Sequence, residues 1–284
     1  MNILSIQSWV AFGHVGNAAA IFPMQRLGVE AWAVNTVQFS NHTGYGRWRG
    51  QVLGGELVRD LVQGIEERGV LATCTGVLSG YIGDAGIGEA VLDAVARVRQ
   101  ANPRALYCCD PVIGDVGRGV FVRPGIPEFF RDRAVPAADL VTPNAFELEF
   151  LTGVAPASAA AAAAACDALH AAGPKVILLT SLEMDGDDPA TIALMASDRG
   201  RKFIVRTPRL PLSVNGAGDA IAALFMVHYA RTGDARVALE NAASSIFGLL
   251  RRTAEAGSRE ILLIAAQDEF VTPSTRFAAE PFAR

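Results

Sequence analysis

The chain is 284 residues long, with 51% hydrophobic and 19% charged residues, enough apolar material for a large core and far from a disordered composition. A formal net charge of −4 gives no electrostatic footprint for DNA or RNA, so nucleic acid is not an expected partner. In chain order, apolar periodicity predicts a strand at 3–7, a helix at 17–27, a strand at 31–37 and helices at 57–68 and 88–100. Strands follow at 105–109 and 140–141, helices at 145–151 and 157–171, and strands at 176–179, 192–196 and 203–206. Helices at 220–231 and 235–253 complete the series. This β–α alternation predicts a mostly parallel sheet with helices on both faces, read as one domain over 1–284 because no Gly/Ser/Pro linker divides it. In open sheets of this kind the ligand lies beyond the carboxyl ends of the strands.

The first residues, Met1 to Ile6, carry neither a basic leader nor a cleavage site, so no signal peptide is expected. No apolar run approaches the roughly 20 residues of a membrane span, and the alanine tract 159–165 is a strong helix former. Cys74, Cys108, Cys109 and Cys166 show no C-x-x-C spacing and no histidines at zinc intervals, which fits free thiols and a cytoplasmic location.

Only Lys175 and Lys202 are lysines among the 25 basic residues, and neither stands in a P-loop or follows a protein-kinase Gly-rich loop. If the protein handles a nucleotide, it does so without a lysine of either type. Gly216-Ala217-Gly218-Asp219 opens the apolar segment 220–231, and a glycine-bearing helix start offers unpaired N–H groups and a positive dipole end to a phosphate. Asp219 would repel that phosphate unless it orients or deprotonates the attacking hydroxyl. The alternative is a Gly-rich turn in which Asp219 merely stabilises its own helix.

Gly216-Ala217-Gly218-Asp219 resembles the anion-hole motif of the ribokinase superfamily. Ile6-Gln7-Ser8, Gly13-His14-Val15-Gly16-Asn17, the run from Asn35 to Tyr45, Ser79-Gly80-Tyr81, Cys109-Asp110-Pro111-Val112 and the run from Thr142 to Glu147 narrow the likeness to pyridoxal kinases. The matches keep their order from residue 3 to about residue 270. Two positions depart: Ala217 gives the sugar-kinase form of the motif, where pyridoxal kinases commonly have Thr or Val, and Asn215 before it is unusual. The resemblance implies a ribokinase-like α/β fold with a small flap and ATP-dependent phosphorylation of the 5′-hydroxymethyl group of pyridoxal. It also implies pyridoxine and pyridoxamine as further substrates, Mg²⁺, a bound K⁺ or Na⁺, and a homodimer. Ala217 is the one feature favouring a hydroxymethylpyrimidine or sugar kinase instead. A non-catalytic vitamer-binding protein would have no use for Asp219, and no Gly-x-Gly-x-x-Gly follows the first strand to support a dinucleotide-dependent oxidoreductase.

Site residues follow from the same likeness. Ser8, at the end of the first strand, would meet the pyridine nitrogen or a ring substituent, or else only cap the strand end. Val15 and Phe39 would form apolar walls and Tyr81 a stacking surface; the alternative for each is core packing, the more common role of an aromatic taken alone. Thr43 and Gly44 lie in a polar stretch, 40–46, that reads as a flap, with His42 either a pocket group or flap surface. Gly216, Ala217 and Gly218 would hold the transferred phosphate and Asp219 would act on the hydroxyl. Asp110 follows a strand, Asp115 sits in a flexible loop, and the resemblance places both beside the phosphates, with Thr142 in the same set. Asn144 and Glu147 would organise hydrated Mg²⁺, or else serve as a helix cap and a solvated surface carboxylate. Thr180 and Ser181 would close their strand at the ATP phosphates, and residues 207–210 would flank the adenine.

Overall fold

The computed structural model describes residues 1–282, so the last two positions of the expected 1–284 domain lie outside the described residues. Chain order gives β1 (Asn2–Val10), α1 (Asn17–Arg26), β2 (Glu30–Phe39), β3 (Gly50–Val52), α2 (Gly55–Glu67), β4 (Cys74–Ser79), α3 (Ala85–Ala101) and β5 (Leu106–Cys109). A hairpin of β6 (Gly114–Asp115) and β7 (Gly119–Val120) precedes the short helices α4 (Ile126–Phe129) and α5 (Val135–Ala137) and the strand β8 (Leu140–Val141). The remainder is α6 (Ala145–Thr152), α7 (Ala159–Ala171), β9 (Val176–Leu182), β10 (Thr191–Asp198), β11 (Arg201–Pro208), α8 (Ala217–Thr232), α9 (Ala235–Glu255) and β12 (Glu280–Pro281).

Ten strands form one sheet in the order β12-β11-β10-β9-β8-β5-β4-β1-β2-β3. From β9 to β2 the pairs are parallel, as the β–α alternation requires. Antiparallel strands finish both edges: β3 on β2, and β10, β11 and β12 beyond β9. The turn joining β10 to β11 is Arg199-Gly200, with φ of 43° and 94°, the double positive φ that matches a hairpin to strand twist.

Strand side chains alternate between two cores. Leu4, Ile6, Ile177 and Leu179 pack with α2, α3 and α7, whereas Ile3, Val176 and Leu178 pack with α1, α8 and α9. Both faces are thus covered, which is why the central strands are buried along nearly their whole length. Helix α8 is buried on all sides from Ala220 to Val227, the signature of a central helix. It closes on the sheet at Gly76, where an added Cβ would lie 2.4 Å from Met226 Cε. All four cysteines are free and buried. No helix among the described residues is long and apolar enough to cross a membrane.

Candidate active site

The carboxyl edge of the parallel strands collects the expected residues in spatial order. Phe39 ends β2, Ser8 lies near the end of β1, Tyr81 stands two residues past β4, Asp110 one past β5, Thr142 one past β8, and Thr180 near the end of β9. One end of this line is apolar and the other acidic. Two expectations about strand ends are corrected. Ser8 lies inside β1, at a register shift against β2 between Gln7 and Trp9, because Trp9 and Val10 continue to pair. Thr180 and Ser181 lie inside β9, where the register against β10 shifts and Ser181 takes a φ of 52°. Such a bulge re-aims side chains at a sheet end.

At the apolar end, Val15 and Phe39 cluster with Val10 and Val37, and Tyr81, Ala18 and Val52 pack against them. Thr36 Oγ1 donates to the Tyr81 carbonyl at 2.7 Å, fixing that ring's backbone, and burial raises its phenol. Trp48 lies on Phe39 with ring centroids 4.2 Å apart. Gly16, at φ +56°, presses on Ser8 so closely that a Cβ would sit 2.3 Å from Ser8 Oγ. Beneath this turn Asn17 accepts from Ser5 Oγ at 2.7 Å and donates to Asn35 Oδ1 at 2.9 Å, locking β1, α1 and β2 together.

The flap is the connection from β2 to β3. Thr43–Tyr45 forms a 3-10 turn in which His42 Nδ1 accepts the Gly44 N–H at 3.1 Å, so His42 braces the flap. Thr43 and Gly44 are exposed at the tip. Arg118, from the β6–β7 hairpin, reaches the flap from the other side; a Cβ on Gly44 would lie 3.3 Å from its Nη2. Asp115 therefore belongs to a hairpin rather than a flexible loop, and its Oδ1 accepts the Val116 N–H at 2.8 Å. Glu260 is a residue the sequence reading missed: it accepts hydrogen bonds from Tyr45 Oη and from the His14 N–H. A lone glutamate in a C-terminal stretch carries no spacing signal that links it to residues more than 200 positions away.

Between the two ends lies the Gly216 turn. Gly216 caps α8 at φ +87°, and a Cβ there would meet the His14 carbonyl oxygen at 1.8 Å, so only glycine fits. The first N–H groups of α8 lack helical partners. Gly218 has open space around its Cα, and Ala217 begins the helix. The Asp219 carboxylate accepts the Gly16 N–H and its own N–H, while enclosure by protein pushes its pKa up to about 6. Asp110 is pushed up to about 7 by burial and by the charge of Asp219, although Thr142 Oγ1 donates to it at 2.8 Å. Glu147 is pushed up to about 8, by burial first and Asp110 second.

Asn144 and Glu147 adopt the capping arrangement. Asn144 Oδ1 accepts the Glu147 N–H at 2.9 Å, and Glu147 Oε2 accepts the Asn144 N–H at 3.0 Å. Asn144 Nδ2 donates to the Gly114 carbonyl at 2.9 Å, and Glu147 Oε1 accepts from Ile113 N at 2.9 Å. Glu147 is buried, which corrects the solvated alternative. Both side chains are engaged by backbone, and no cluster of three or more His, Cys, Asp or Glu suited to a metal exists among the described residues. Thr180 stands beside Asn144 through a parallel bridge, joining β9 to this corner, while Ser181 is exposed.

The profile of the phosphomethylpyrimidine kinase family matches residues 52–263. The chain is 62% identical over 284 residues to the pyridoxal kinase PdxY of Granulibacter bethesdensis, covering 99% of each, and 57% identical to that of Rubrobacter xylanophilus, covering 98% and 96%. Its fold is similar to the pyridoxal kinase of Leishmania donovani in complex with ADP and pyridoxamine, with TM-score 0.93, 30% identity and 99% of each chain covered. With the Gly216–Asp219 turn, the ordered carboxyl edge and relatives matching end to end, the chain belongs to the pyridoxal kinases of the ribokinase superfamily.

Proposed function

We propose that this protein transfers the γ-phosphoryl group of ATP to the 5′-hydroxymethyl group of pyridoxal, with pyridoxine and pyridoxamine as further acceptors. One observation carries the reading: Asp219 lies at the N-terminus of α8 between an apolar ring pocket and an acidic corner, so a hydroxyl and a phosphate would meet at its carboxylate. In this reading Val15, Phe39 and Tyr81 hold the pyridine ring, Ser8 addresses its polar edge, and Thr43 and Gly44 cover it. Asp219 orients the hydroxyl and accepts its proton. The N–H groups at Gly216, Ala217 and Gly218 stabilise charge on the transferred group, which matters more in a loose phosphoryl transfer than base strength. Asp110, Asp115, Thr142, Thr180 and Ser181 border the ATP phosphates.

The reaction needs a divalent cation, and we propose Mg²⁺. The chemistry of the corner suits an ion held through its waters rather than by a cluster of direct ligands: Asp219 raises Asp110, Asp110 raises Glu147, and among the described residues no cationic group acts on any of the three. Since Asn144 and Glu147 are engaged by backbone, they would organise the ion through its waters, as suits Mg²⁺. When bound, the ion neutralises phosphate charge. K⁺ or Na⁺ binding, a homodimer, cytoplasmic residence and a single unit over 1–284 complete the proposal.

A substrate panel with ATP and Mg²⁺ tests it, read as phosphorylated product. Pyridoxal should give the highest kcat/KM among pyridoxal, hydroxymethylpyrimidine and ribose. Preference for hydroxymethylpyrimidine, the second reading that Ala217 favours, would overturn the assignment, and a panel without turnover would leave a vitamer-binding protein.

A further inference from the structure

One side chain outside the groups assigned above touches both the flap and the turn beneath Asp219. Glu260 Oε1 accepts from Tyr45 Oη, at the end of the flap's 3-10 turn, and Oε2 accepts the His14 N–H at 3.1 Å. The Arg259 guanidinium stands 5.6 Å from the Tyr45 ring centroid, and Phe12 lies 6.4 Å from that ring. Gly13 makes room for the carboxylate: at φ +89°, a Cβ there would lie 2.5 Å from Glu260 Oε2. Ser258 Oγ accepts the Glu260 N–H at 3.1 Å and donates to its carbonyl at 2.6 Å, fixing the backbone that presents it.

These contacts continue inward. His14 is followed by Val15, in the apolar cluster, and by Gly16, whose N–H meets the Asp219 carboxylate. The His14 carbonyl oxygen is the atom that excludes any side chain at Gly216. Two donors, a phenol and an amide, converge on one residue, and only a carboxylate offers an acceptor oxygen to each. Bonds of this charge-assisted kind at a half-exposed site are strong enough to hold a short turn yet remain open to exchange with water.

We propose that Glu260 is a positioning residue that latches flap residues 43–45 over the apolar end of the cleft, in register with Asp219. What the latch encloses rests on the pyridoxal reading; the latch itself does not. Glu260 touches no reacting atom. It sets the closed flap against the same turn that holds Asp219, so vitamer binding depends on it and ATP binding does not.

The test uses the full chain with Tyr45→Phe, Glu260→Gln, Glu260→Ala and the double variant Tyr45→Phe/Glu260→Ala. The KM for pyridoxal should rise about tenfold in Tyr45→Phe and in Glu260→Ala, while the KM for ATP stays within about twofold. The double variant should be no worse than Glu260→Ala, because both remove one contact. Glu260→Ala should also lower kcat about threefold through the freed His14 turn, Tyr45→Phe should not, and Glu260→Gln should fall between. Independently of turnover, amide hydrogen exchange at 41–49 in the ligand-free protein should accelerate about tenfold in Tyr45→Phe and in Glu260→Ala. Additive effects in the double variant, parallel rises in both KM values, or unchanged exchange would overturn the latch. If the wild type failed to phosphorylate pyridoxal, the substrate reading would fall and the exchange measurement would still decide the latch; if Glu260→Ala failed to fold, Tyr45→Phe would carry the same test.

Discussion

Asp219 combines a raised pKa with a fixed position, and each property leads to a measurement. Asp219→Asn keeps shape and helix-start chemistry while removing the proton acceptor, so kcat should fall by roughly 10²–10⁴ with little change in the KM for pyridoxal. Its melting temperature should hold or rise, because the variant removes repulsion with Asp110. Near-wild-type kcat would remove Asp219 from the chemistry. In the proposed reading the working form is the ionised carboxylate, and with its pKa pushed up to about 6, kcat/KM should be flat above that pH and lose about tenfold per unit below it. If Tyr81 stacks on the vitamer ring as proposed, Tyr81→Ala removes a contact worth about 0.5–1.5 kcal/mol and should raise the KM for pyridoxal up to about tenfold, with less effect on ATP. A selective loss of ATP affinity would mean the two ends of the cleft are reversed. At this scale the sequence was most legible where a backbone constraint and a chemical group coincide, as in Gly216 to Asp219. It was least legible at Asn144 and Glu147, whose three-residue spacing serves a capping box and a metal corner equally well.

Among elements, the joint between the β1–α1 turn and the start of α8 is the tightest backbone approach at the site. Gly216→Ala would force a methyl group onto the His14 carbonyl and a left-handed φ on alanine, a strain of about 1–2 kcal/mol from conformation alone. The expected result is a large fall in kcat with a melting temperature lowered by several degrees, checked by kinetics and calorimetry on one preparation. Wild-type kcat would show that the turn can rearrange without cost to phosphate binding. Most central elements were readable from apolar runs, since strands buried on both faces are continuous in hydrophobicity. Strand β4 was not: Cys-Thr-Gly-Val-Leu-Ser has a glycine in its middle, and that glycine is there because α8 passes close above it. The antiparallel edges were equally hidden, because strand direction is set by connection length and turn geometry rather than by composition.

For the whole molecule, the acidic corner sets a stability trend with a definite sign. Asp219, Asp110 and Glu147 titrate near 6, 7 and 8 in the fold and near ordinary carboxylate values when unfolded. The folded state therefore binds more protons, and the stabilisation this gives is complete below about pH 4 and is lost as pH rises through 6 to 8. Without nucleotide the protein should melt a few degrees lower at pH 8 than at pH 6, and Mg²⁺ with ATP should narrow that gap. A melting temperature that climbs from pH 6 to pH 8 would contradict the buried-carboxylate account.

Strand β12 pairs only Glu280 and Pro281 with Ile204 and Phe203, on the outer edge of the eight-residue strand β11. Behind that short cover lie Phe203, Ile204 and Val205, flanked by the exposed Arg201 and Arg206. A chain cut before residue 279 would keep its cleft and lose its edge protection, turning a covered strand edge into a template for intermolecular strand addition. Light scattering on such a truncation should reveal salt-promoted aggregation, as screening weakens the guarding charges, while kcat per folded molecule stays unchanged.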